Sequence, residues 1–318
     1  MKLVISIGAA YLLDFLFADP YSWPHPVKLM GKYISWFLKR YNTPSKSIFL
    51  QYMIGLLLNV SLIFLIIILS LICLIIAYQM NYYVGWAIEI YMIYTCFSAK
   101  GLAIEAEKVK DELTQGGVVK GRKQVAMIVG RNTENLTEEE IIKAVIETVA
   151  ENTSDGFVAP LFYIVLLGPI GGMIYKAINT LDSMVGYKQF PYKYIGFFSA
   201  KFDDLVNWIP ARLSWIYLVI ASFLLRMNWK NGIRIGLRDR KNHNSPNSAF
   251  PESVVAGALD IQLGGTHEYH GKEVYKPTIG DDNRSPSIKD IDKVNLLLFC
   301  TSILSVVTMS IILLTIRI

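Results

Sequence analysis

Residues 53 to 78, MIGLLLNVSLIFLIIILSLICLIIAY, run without a single charged side chain. The hydrocarbon layer of a bilayer takes about 20 apolar residues to cross as a helix. Inside it every backbone N–H and C=O must be satisfied within the segment, which leaves the α-helix as the form for one isolated run. This stretch therefore commits the chain to a membrane. Leu296 to Thr315 reads the same way, and Tyr83 to Ser98, shorter and carrying Glu89, is expected to return against the first span as a tight hairpin. Met1 to Ala18 begins like a secretory signal, but Asp14 interrupts it and no small-x-small cleavage site follows, so it is read as a retained span. A composition 53% hydrophobic and 18% charged over 318 residues agrees. The expected fold is all-α, a multi-pass integral membrane protein of four to six spans with polar cytoplasmic loops, forming one domain over residues 1–318. Short strands are expected at Val125 to Val129 and around Tyr269 to Tyr275.

The net charge of +5 says less than its distribution. Residues 19–50 carry five Lys/Arg and one acid, residues 99–156 eight and eleven, and residues 226–295 eleven and nine. Basic residues near span ends mark the cytoplasmic side. The mixed signs describe solvated regions and argue against a nucleic-acid surface. Cys73, Cys96 and Cys300 all fall in apolar segments, where a small hydrophobe is the plain reading, so no disulfide framework is expected. No G-x-x-x-x-G-K-[ST] loop and no G-x-G-x-x-G fingerprint is present, and His267 with His270 lacks a third ligand at metal spacing.

Three polar clusters lie directly against apolar runs, where acids and amides are expensive unless they bind something. In the first, Thr137 and Glu140 form a capping box that starts a helix. Along that helix Ile141, Val145, Thr148 and Val149 share one face while Glu140, Glu147, Glu151 and Asp155 gather on another, with Asn152 beside them. Carboxylates four apart suit Mg²⁺ bridged to phosphate. In the second, Asn179, Asp182, Ser183 and Gly186 share a helical face, and Asp203, Asp204 and Asn207 repeat the pattern. Lys188, Lys201 and Arg212 there suit anionic oxygens or structural ion pairs equally. The third, from Asp239 to Gly265, has turn chemistry at Asn242 to Asn247, with His243 its best functional histidine and Asn247 a further polar contact. If residues 157–175 and 205–225 both cross, the second cluster lands opposite the other two. Gly168, Pro169, Gly171 and Gly172 offer a break that would avoid this.

Taken in order, LDFLFADPYSWPHPVKLMGK (13–32), IVGRNTENLT (128–137), ETVAENTSDGFVAPLFY (147–163), KAINTLDSMVGYK (176–188), AKFDDLVNWIPARL (200–213) and SPNSAFPESVVAGALDIQLGG (245–265) closely resemble the CbiB/CobD family of cobalamin-biosynthesis membrane proteins. The resemblance covers nearly the whole chain. It implies an adenosylcobinamide-phosphate synthase, an acid–amine ligase that joins adenosylcobyric acid to aminopropanol or its phosphate with ATP and Mg²⁺ at the cytoplasmic face of the cell membrane. Association with other corrinoid-pathway membrane enzymes is a further expectation. On that reading Glu147, Glu151, Asp182 and His243 are the catalytic candidates. Arg131, Asn152, Lys188, Lys201, Arg212 and Asn247 are candidates for substrate and phosphate contacts, and Asp155, Asp182, Asp203 and Asp204 for Mg²⁺. Two other readings compete: a transferase acting on a lipid diphosphate, motivated by Asp182 and the Asp203/Asp204 pair, and a non-enzymatic scaffold like the distantly similar AmpE-like proteins.

Overall fold

The computed structural model describes residues 1–20, 22–42, 47–187, 189–269 and 272–316, with backbone alone at 266–269, 272–276 and 316. Its helices, in chain order, are α1 (Lys2–Phe17), α2 (Pro26–Tyr41), α3 (Ile48–Met80), α4 (Tyr82–Tyr94), α5 (Ala99–Val125), α6 (Glu138–Thr153), α7 (Ala159–Val185), α8 (Phe197–Val206), α9 (Trp208–Leu224), α10 (Trp229–Asp239), α11 (Ala249–Leu259) and α12 (Ile288–Ile316). A π-helical turn, Ser154–Val158, joins α6 to α7. The strands β1 (Leu263–Tyr269) and β2 (Lys272–Ile279) pair antiparallel, Leu263 against Ile279 and Thr266 against Tyr275. The expected hairpin near Tyr269 is therefore present. The expected strand at Val125–Val129 is not: α5 runs to Val125, and the amides of Ala126 and Ile128 bond back to Arg122 and Val125. Helical and turn bonds take up the groups a sheet would need.

The chain divides into two compact units and passes between them four times. The first comprises Met1–Ser98, Ala159–Asn207 and Met309–Ile318. Here Asn81 ends α3 with its N–H on the Ala77 carbonyl and starts α4 by accepting from the Tyr83 N–H at 2.8 Å, which makes the tight hairpin. Glu89, the acid that shortened the third apolar run, is accounted for: Lys2 donates to it at 2.9 Å, Tyr78 at 2.6 Å and Ser6 at 3.2 Å. An acid this well supplied with donors can stay buried beside hydrocarbon. The rest of α3 presents Leu57, Phe64, Leu69, Ile72 and Ile76 outward, each about half exposed or more. Such an apolar surface belongs against lipid.

α7 is not one straight rod. Gly168 takes φ 70° ahead of Pro169, and the rings of Tyr163 and Tyr175 stack 5.5 Å apart at 13°. Twelve residues of straight helix would separate them by about 18 Å, so the chain doubles back at Gly168. The G-P-I-G-G group does break the segment, and residues 157–175 do not form one straight helix. The same device recurs in the second unit, which comprises Ala99–Val158 and Trp208–Thr308. Gly117, at φ 68°, reverses α5 so that Gln124 donates to Glu105 at 3.4 Å and Lys120 meets Glu112 at 4.0 Å. α11 lies at the centre of this unit with every one of its residues buried, packed by α6, α9 and α10. A helix apolar on all sides must be enclosed in this way. Gly257 lets it approach α10, because a Cβ there would come 2.6 Å from the Asn231 carbonyl.

Among the described residues four helical segments are long and apolar enough to cross a bilayer: Ile48–Met80, Tyr82–Val125, Glu138–Val185 and Ile288–Thr315. Phe197–Val206 with Trp208–Leu224 supplies a fifth if the two are counted as one.

Candidate active site

The best-defined polar site lies in the second unit and is built from α6. Its capping box is present as expected, Glu140 N–H on Thr137 Oγ1 at 3.3 Å and Thr137 N–H on Glu140 Oε2 at 2.7 Å. That fixes where the helix starts and so places Glu147 and Glu151 one turn apart at its far end. The loop before it is held at both ends. Asn132 Oδ1 accepts from the Glu134 N–H at 3.0 Å, and the Leu136 carbonyl accepts from Arg122 Nε at 2.7 Å. This rigid loop delivers Arg131, whose Nη1 donates to Glu147 Oε2 at 3.1 Å, with only 3% of the arginine side chain and 11% of the glutamate exposed. Glu147 Oε1 accepts from the Gly264 N–H at 2.9 Å. Gly264 has φ 77°, and a Cβ there would come 2.5 Å from the Pro277 carbonyl, so glycine is required. Nε and Nη2 of Arg131 are buried and have no acceptor among the described residues. Each unpaired buried donor costs on the order of 1–3 kcal/mol.

One turn on, Glu151 Oε1 accepts from Ser248 Oγ at 2.7 Å. The adjacent Asn247 Oδ1 accepts from Arg212 Nη1 at 3.1 Å, and the same nitrogen donates to the Trp208 carbonyl at 2.6 Å. The Arg212 guanidinium contacts two rings, 4.4 Å from the Trp208 centroid and 4.2 Å from that of Phe250. No carboxylate lies within ion-pair distance of it among the described residues. Close by in sequence, Asn152 turns its amide onto the Thr148 carbonyl at 2.9 Å, and Asp155 lies in the π-helical turn. His243 Nδ1 accepts from the Ser245 N–H at 3.0 Å, so in the neutral ring the proton is on Nε2 and the histidine presents a donor.

The second cluster belongs to the first unit. Asp203 accepts from Asn207 at 2.9 Å and from Asn179 at 3.4 Å, and Asn207 in turn accepts from the Tyr175 hydroxyl at 2.9 Å. Lys201 pairs with Asp204 at 3.6 Å. Asp182 folds back on its own turn: a Cβ at Gly186 would lie 1.8 Å from its Oδ1. Lys188 and His270 lie outside the described residues, and the side chain of His267 is likewise not described. Among the described residues no three Asp, Glu, His or Cys side chains converge to hold a metal ion. The carboxylates of Glu147, Glu151, Asp203 and Asp204 have protein partners.

Residue type led to Arg131, Glu147, Glu151, Arg212 and Asn247, and the structure gathers these in one unit. It missed Ser248, Gly264, Trp208 and Phe250. The spacing of Trp208 and Arg212, i and i+4 on one helix, could have indicated the stack. Nothing local points to Phe250, which arrives from another helix.

Fold and site define a helical multi-pass membrane protein whose polar side chains are drawn into desolvated, hydrogen-bonded networks. The sequence profile of the CobD/CbiB proteins matches residues 7–298, and the chain belongs to that family. "Cobalamin biosynthesis protein CobD" of Listeria monocytogenes serotype 4b (strain F2365) is 50% identical over 296 residues, 92% of this chain and 93% of that one. The protein of the same name from Streptococcus sanguinis (strain SK36) is 51% identical over 299 residues, 94% of each. "Cobalamin biosynthesis protein CbiB" of Salmonella typhi is 42% identical over 305 residues, 93% of each. No solved structure matches the chain.

Proposed function

We propose that the chain is an adenosylcobinamide-phosphate synthase, which condenses a propionate carboxylate of adenosylcobyric acid with the amine of aminopropanol or aminopropanol phosphate. Family membership carries the coarser part of this reading, a role in cobalamin biosynthesis. One observation supports the finer part. Four of the six sequence blocks that carry the resemblance contribute to the polar networks of a single unit, through Arg131, Glu147 with Glu151, Arg212, and Asn247 to Gly264.

In the proposed reaction a carboxylate oxygen attacks the γ-phosphorus of ATP and ADP leaves. The amine then attacks the acyl carbon, inorganic phosphate departs and the nitrogen loses a proton to a base. Mg²⁺ enters bound to the nucleotide, as part of the substrate. Arg212, held by stacking and without a carboxylate partner, suits a phosphate oxygen. Glu151, with one oxygen on Ser248, is the candidate base. His243 is the candidate for a second base or a contact with the corrinoid. A reaction drawing on ATP assigns the site to the cytoplasmic side of the cell membrane. Contact with other membrane enzymes of the corrinoid pathway would shorten the path of a bulky intermediate.

The test is incubation of the purified protein in detergent with adenosylcobyric acid, aminopropanol phosphate, ATP and Mg²⁺, followed by mass spectrometry of the corrinoid. An ATP-dependent product of the amide mass is expected. A folded protein that yields none, with either amine, overturns the reading.

A further inference from the structure

We propose that the Nε/Nη2 edge of Arg131 is a receptor for an oxyanion with two acceptor oxygens, a carboxylate or a phosphate, and that Glu147 is the positioning residue that aims it. The geometry of the guanidinium carries the argument. Arg131 uses Nη1 for Glu147, and Nε with Nη2, the two nitrogens without an acceptor among the described residues, form the side-on fork that fits carboxylate and phosphate bidentately. The side chain is only 3% exposed. A guanidinium rarely stays buried with three of its five N–H donors unmet unless something else meets them. Glu147 does not meet them: its Oε2 accepts from Nη1 and its Oε1 from the Gly264 N–H at 2.9 Å. That bond fixes the carboxylate, and the carboxylate fixes the rotation of the fork. Both nitrogens are closed to solvent, so the anion is held where water does not compete, which strengthens a charge-assisted contact.

The synthase reading supplies two sources for the anion, the substrate carboxylate and the aminopropanol phosphate, and the inference rests on it only for that choice. The experiment is isothermal titration of the full-length protein and Arg131→Lys in detergent, which keeps the charge and removes the fork. The probes are inorganic pyrophosphate, aminopropanol phosphate against aminopropanol, and adenosylcobyric acid against adenosylcobinamide. At least a tenfold loss of affinity is expected for an oxyanion-bearing probe, with none for its counterpart lacking the oxyanion. Loss confined to aminopropanol phosphate assigns a phosphate, and loss confined to adenosylcobyric acid assigns a carboxylate. Pyrophosphate binding that depends on Arg131, with neither proposed substrate bound, keeps the receptor and counts against the synthase. Equal affinities in the two proteins, or no binding by the parent, overturn the proposal. Should Arg131→Lys fail to fold, a structure of the parent with pyrophosphate decides: oxyanion density within hydrogen-bond reach of both nitrogens supports the receptor, and an ordered water there overturns it.

Discussion

Arg131 and Arg212 are held by opposite means. Arg131 is fixed by charge, a buried carboxylate on one arm, and its remaining edge is dry. Arg212 is fixed by shape, against two aromatic rings and with no carboxylate at ion-pair distance among the described residues. A buried ion pair gives a rigid aim but makes each partner depend on the other, because removing one leaves a naked charge. A stacked guanidinium keeps its full charge for a ligand and tolerates the loss of any one neighbour. Within one unit, Arg131 thus depends on Glu147 for its aim, while Arg212 carries its charge with no carboxylate partner among the described residues.

The largest effect expected from this contrast is at Glu147. Glu147→Leu should lower stability by about 3–5 kcal/mol, the range for breaking a buried pair, read as a fall in melting temperature in detergent. The double variant Arg131→Met, Glu147→Leu should regain most of it. A Glu147→Leu protein that melts like its parent would show that charge does not hold Arg131. Gly264→Ala comes next: left-handed backbone costs a non-glycine residue roughly 1–2 kcal/mol, and the contact with Pro277 adds to it. Trp208→Leu should cost less, about 0.5–1 kcal/mol of cation–π contact, since the contact with Phe250 remains. A loss as large as that of Glu147→Leu would mean that stacking is no gentler than pairing.

The smallest effect is at the surface of the same unit, where a third arrangement serves as control. Asp281 faces Arg238 at 2.6 Å and also Arg234, and Arg238 grips Asp239 with both arms at 2.7 and 2.8 Å. Hydrogen bonds from Arg238 and then Arg234 hold the Asp281 carboxyl below its ordinary range. A carboxylate lowered on folding contributes stability above its unfolded pKa of roughly 3.9 and loses it as pH falls through the folded value. Asp281→Asn should therefore lower stability slightly at neutral pH, flatten the acid limb of a stability-against-pH curve by the same small amount, and leave stability below the folded pKa unchanged. Exposed pairs contribute little.

Much of this was legible in the sequence, for reasons that can be named. The charge-free run, the capping box at Thr137 and the break at Gly168 are local events, decided by a handful of neighbouring residues. The polar clusters could be read as functional because acids beside hydrocarbon need an explanation. What could not be read was pairing across the chain. Glu147 and Asp203 both look like metal ligands one residue at a time, yet one meets Arg131 and Gly264 and the other Asn179 and Asn207. The reversal at Gly117 was hidden as well, because the charged residues on either side of it continue a helical pattern that says nothing of direction.

A nascent membrane chain is laid into the bilayer in order, and apolar length is what the insertion machinery reads. Residues 159–185 offer enough of it for one crossing, while the finished protein has Tyr163 lying back on Tyr175. A single torsion angle, cheap only for glycine, thus turns back a segment whose apolar length alone would read as one straight helix.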